Sequence, residues 1–71
     1  MNFNYKKLKL KIKEVYDTQD AFAKALGMGV TIVNQRLNNA VKWKSTEIVE
    51  VCNLLEIPIE EAYLYFFIPE V

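Results

Sequence analysis

Between Thr18 and Asn38 the chain reads TQDAFAKALGMGVTIVNQRLN, and no other stretch restricts its folding as tightly. Thr18 is a good N-cap, and Ala21, Phe22, Ala25 and Leu26 follow it at helical spacing. Gly27 falls where that helix must stop and the chain must turn. A residue without Cβ enters the left-handed region there at little cost. Gly29 can cap a second helix from about Val30 to Asn38, whose inner positions are Val33 and Leu37. Ala23, four residues before Gly27, is small enough to let the second helix cross close over the first. Two short helices around one tight turn make a helix-turn-helix.

The flanking segments predict three further helices. Asn4 can cap a first helix from Tyr5 to about Tyr16. KKLKLKIK also alternates like a strand, but Tyr5, Leu8, Ile12, Val15 and Tyr16 all share one helical face. Leu10 is then stranded outside among Lys6, Lys7, Lys9, Lys11 and Lys13. Ser45 is expected to cap a fourth helix to about Leu55, with Ile48, Val51, Cys52 and Leu55 inward and Glu47 near its positive end. Pro58 then opens a fifth helix, apolar nearly all round from Ile59 to Ile68, which Pro69 ends. Trp43, in the loop before the fourth helix, reads as a partly buried cover whose indole N–H can still donate to a phosphate.

Seventy-one residues make a single domain, 1–71, with a small core. The lone Cys52 rules out an internal disulfide and, with no signal-like start, fits a reducing cytoplasm. It reads as a small core residue. No apolar run is long enough to span a membrane, and with no histidine there is no metal-binding set, so neither cofactor nor metal is expected. Net charge is zero, yet its distribution is lopsided. All nine Lys and Arg lie at or before Lys44 with three acidic residues, whereas six Glu and no basic residue follow from Ser45. That segregation suits a basic end for phosphate and an acidic end held away from it.

The run resembles the helix-turn-helix of Cro and lambda-repressor-type DNA-binding domains, especially small phage and prophage regulators. The matching residues are Gln19 opening the first helix, Ala23, Gly27, Val33 and Asn38. Around them stand a basic helix, Trp43, the KSTEI and LLEIP junctions and an aromatic end, so the resemblance covers nearly the whole chain. It implies an all-α, five-helix lambda-repressor-like domain with the motif at 18–38 and an apolar terminal segment at 58–71. Gly29 replaces the serine common at that cap. Arg36 stands where the broader family is usually apolar; its stem can cover apolar surface while its head reaches water or phosphate.

What such a motif does follows from its second helix, which enters the major groove of operator DNA. Val30, Thr31, Asn34, Gln35 and Asn38 share the side opposite Val33 and Leu37. Their amides suit adenine and their methyls suit thymine, so these are the expected base readers. Gln19, Arg36, Lys42 and Lys44 are the expected phosphate contacts. The surplus apolar surface of Leu64, Phe66 and Phe67 suggests a homodimer or another protein partner. A second reading stays open, because the presumed reading helix carries Val30, Ile32 and Val33 and no lysine. Such a surface suits docking on a partner phage repressor, as in modulators of repression. Catalysis is not expected: Glu60 and Glu61 point roughly 100° apart on a helix and no nucleophile set exists.

Overall fold

The computed structural model describes residues 2–71, and the chain is all-α. Its five helices are α1 (Lys6–Tyr16), α2 (Gln19–Leu26), α3 (Val30–Leu37), α4 (Ser45–Leu55) and α5 (Tyr63–Phe66), with one 3₁₀ turn at Ile59–Glu61. Helix α1 packs on α2, α4 and α5, and α2 also packs on α3 and α4. The side chains that meet in the middle are Leu8, Ile12, Phe22, Val33, Val51, Leu55 and Phe66, each at most 2% exposed. Cys52 lies among them, and burial pushes its thiol pKa up.

The central motif forms as its residues dictate. Thr18 Oγ1 accepts the Ala21 N–H at 3.1 Å, fixing the start of α2. Gly27 has φ +75° and closes α2 in a Schellman turn. Its N–H donates to Lys24 O at 3.1 Å, and that of Met28 donates to Ala23 O at 3.0 Å. Helix α3 ends the same way with asparagine in the glycine's place. Asn39 has φ +64°, and the Ala40 N–H donates to Gln35 O at 2.9 Å. Asparagine tolerates that left-handed conformation better than other residues with a Cβ.

Asn39 has a second task. Its Oδ1 accepts the Phe3 N–H and its Nδ2 donates to Phe3 O, both at 2.9 Å, so one amide mimics the edge of a strand. On the other side the C-terminal tail runs antiparallel to residues 2–4. The Asn4 N–H donates to Ile68 O at 2.7 Å, and the Glu70 N–H donates to Asn2 O at 2.9 Å. Pro69 sits between those two bonds, opposite Phe3. Both chain ends are thereby fastened to the end of α3.

Four expectations need correction. The fifth helix does not run continuously from Pro58 to Ile68: a 3₁₀ turn precedes a four-residue α5, and Ile68 has left the helix to pair with Asn4. Val15 is exposed at 45%, because at the last turn of α1 it is Tyr16 whose ring meets Phe22, at 5.7 Å. Ser45 does not cap α4. The cap is Lys44, whose N–H donates to the Glu47 carboxylate at 2.9 Å. Trp43 cannot reach a phosphate, since its Nε1 is buried while its ring packs edge-to-face on Phe66 at 5.5 Å.

Two outcomes follow for stability. A Cβ on Gly27 meets nothing within 4 Å, so substitution there is opposed by backbone conformation alone. Gly27→Val should cost more than about 1 kcal/mol and Gly27→Asn clearly less, measured by denaturant unfolding. Asn39→Ala removes two hydrogen bonds and strains the turn, and should cost about 2–3 kcal/mol. It should also speed amide exchange at Phe3.

Candidate functional site

Helix α3 presents one face to the core and the other to solvent. Val33 and Leu37 are buried, whereas Val30, Thr31, Asn34, Gln35 and Asn38 are all exposed. The five expected base readers thus share one surface, with Asn38 just past the helix end. Ile32 is 41% exposed at the edge of that surface opposite Val30, which is 38% exposed. An open depression between α2 and α3 adjoins it at Val30, lined also by Ala21, Ala23, Met28 and the charged Asp20 and Lys24.

The expected phosphate contacts separate. Lys42 and Lys44 are exposed on the loop after α3, and Gln19 is half-buried at the first position of α2. Arg36 does not belong with them. It is 8% exposed and its guanidinium is committed to Glu47, Nε to Oε1 at 3.0 Å and Nη2 to Oε2 at 3.1 Å. The apolar cover expected of its stem is real, but its head turns into the protein. The outer face of α3 consequently carries no free charge.

Glu47 is the residue that sequence reasoning undervalued. Its carboxylate binds Arg36 from α3 and the Lys44 N–H at the start of α4, which joins the two helices. The hydrogen bond from Arg36 does most to hold its pKa below the usual carboxylate range, against burial, with the Lys44 N–H adding to it. An arginine at a position facing the core and a glutamate three residues after a helix cap were the available signals. Asn39 was missed as well, although an asparagine after a helix end is a recognised substitute for glycine.

The three residues expected to form an interface at the C-terminal end differ in exposure. Phe66 is 1% exposed and belongs to the core, and Leu64 is half-buried against it. Phe67 is 49% exposed and lies edge-to-face on Phe3 at 5.8 Å, so it alone of the three offers a broad free surface. The short α5 accounts for this, since a single turn points Tyr65 and Phe66 inward together.

A protein-family profile matches residues 1–69. The chain belongs to the DUF739 family, described as a protein of unknown function. It is also similar to the modulator of repression (MOR) of the temperate bacteriophage TP901-1 from Lactococcus lactis, known from a solution structure. The two are 37% identical with a TM-score of 0.83, over 94% of this chain and 90% of that one. No curated protein matches the chain.

The Arg36–Glu47 pair makes a definite prediction. Its side chains are only 10% and 16% exposed, so losing one partner strands a charge. Glu47→Ala should cost about 3 kcal/mol, while Arg36→Met with Glu47→Leu should recover most of that. Because the folded pKa of Glu47 is lowered, its contribution is present above the ordinary carboxylate range and is lost as pH falls through the folded value. The double variant should therefore lose less stability than wild type between about pH 5 and pH 3.

Proposed function

We propose that this DUF739 protein is a phage-type modulator of repression that binds a partner repressor protein through the exposed face of α3. The observation that carries this reading is the capture of Arg36 by Glu47, which leaves that face uncharged. Duplex affinity comes largely from neutralising phosphates. A protein interface instead combines exposed apolar side chains with uncharged polar groups able to hydrogen-bond. On this face Val30 and Ile32 supply apolar contact at its two edges, and Thr31, Asn34, Gln35 and Asn38 between them supply the hydrogen-bonding groups. Similarity to a phage modulator of repression points the same way.

In this reading the scaffold is a repressor-like helix-turn-helix turned to protein recognition. The reader of operator DNA expected from the motif becomes the second reading, supported by the exposure of Asn34 and Gln35 and of Lys42 and Lys44 nearby. The repressor works in the host cytoplasm, and the modulator meets it there. Among the described residues no helix is long and apolar enough to cross a membrane. A homodimer is not required, and the role involves no catalysis.

The test uses the repressor encoded beside this protein's own gene. A stable complex should form without DNA, and Ile32→Asp should weaken it by about 2 kcal/mol or more, roughly 30-fold. Its unfolding free energy should move by no more than about 0.5 kcal/mol, since the site is on the surface. If instead no complex forms and the protein prefers its own intergenic DNA to random duplex, with Gln35→Ala relaxing that preference, operator reading replaces this proposal.

A further inference from the structure

The basic face of α1 plays no part in the α3 surface. Lys6, Lys9, Leu10 and Lys13 recur at i, i+3, i+4 and i+7, so they form one row along the helix. All four are exposed, Leu10 at 60%. The helix begins with Lys6 and Lys7 and has no acidic residue in its first turn, although the helix dipole favours negative charge there. Lys6–Lys9 and Lys9–Lys13 are like-charge neighbours that oppose helix formation. Among the described residues, none of these three lysines has an ion pair. On α1 only Lys11 has one, with Glu14 at 3.7 Å, and the Lys7 ammonium stands 5.1 Å over the Tyr65 ring.

The row borders an open groove of about 500 Å³ between α1 and the end of α3. Lys6, Lys9 and Leu10 form one side, and Leu37 and the exposed Asn38 line it as well; Glu70 is its single acidic lining residue. A row of uncompensated ammonium groups beside a groove is a local conflict that a polyanion would relieve. Lys6 to Lys13 spans about 10 Å of helix. Duplex DNA presents about six phosphate charges over that length, at one per about 1.7 Å. An acidic protein helix offers about one carboxylate per turn of roughly 5 Å on a given face.

We propose that the Lys6–Lys9–Lys13 row and its groove bind the phosphodiester backbone of nucleic acid without regard to sequence, at a surface that meets the exposed face of α3 only at Asn38. This does not depend on the repressor reading. The test is fluorescence anisotropy with the whole protein and a labelled random-sequence duplex. Wild type should bind at about 50 mM salt and lose about 40-fold or more in affinity by about 200 mM, as expected for three neutralised phosphates. Lys6→Gln, Lys9→Gln and Lys13→Gln together should make the slope of log affinity against log salt shallower by about three units. That triple variant should melt no lower than wild type at low salt, because repulsion has been removed. Ile32→Ala should leave the slope unchanged. Absence of duplex binding by wild type, or an unchanged slope in the folded triple variant, would overturn the proposal. So would a slope that collapses in Lys42→Gln with Lys44→Gln instead, or poly-glutamate bound as tightly as the duplex, which would assign the row to an acidic protein.

Discussion

Everything that α3 can do rests on one carboxylate. Glu47 accepts from Arg36 Nε and from the Lys44 N–H with the same oxygen, while its second oxygen takes Arg36 Nη2. The pair therefore ends the loop after α3, starts α4 and fixes the spacing between them. Such a buried pair is a weak source of net stability, because both ions lose water. Its value is positional. It holds α3 at a set orientation and takes the only charged side chain of that helix out of solvent. An apolar pair could fill the space, but it would supply neither the fork geometry nor the helix cap.

A chain of 71 residues buries a limited core, and unfastened ends would leave much of it accessible. Asn39 answers this with a single side chain. Its left-handed backbone closes α3, and its amide satisfies both polar groups of Phe3. With Phe3 held, its ring lies against those of Tyr5 and Phe67 and the tail can pair with residues 2–4. Loss of the amide frees residues at both ends of the sequence, so a local contact has a distributed effect.

The helix-turn-helix was legible because each of its rules is local. Thr18, Gly27 and Gly29 act within three or four residues of themselves, and Val33 and Leu37 face inward by periodicity alone. What the sequence concealed depends on distant partners. Nothing near Arg36 says that Glu47, eleven residues on, will claim its guanidinium, so a phosphate contact was the natural expectation. Nothing near Asn39 says that its amide will reach Phe3, thirty-six residues back. The run from Ile59 to Ile68 looked helical throughout because periodicity cannot register the competing bonds that the extended residues 2–4 offer to Ile68 and Glu70. Phe66 and Phe67 are neighbours with opposite fates, one in the core and one exposed, and only the short α5 explains it.

The charge pattern along the sequence takes on a different meaning in three dimensions. The basic half does not gather around α3, as a simple reader of DNA would require. Arg36 is neutralised internally, Lys42 and Lys44 flank the helix, and five lysines concentrate on α1. Electrostatic attraction at long range is weak in a chain of zero net charge, so what each surface binds is decided by groups within about 8 Å, the screening length at physiological salt. On that scale α3 is an apolar and amide surface and α1 is a cationic one. An apolar surface gains most from a partner that also excludes water, whereas a row of lysines gains most from dense negative charge in contact with solvent. Two faces with such different demands are poorly served by one ligand. The separation of charge from the α3 surface, begun by one buried ion pair, leaves the two helices with surfaces of opposite chemical demand.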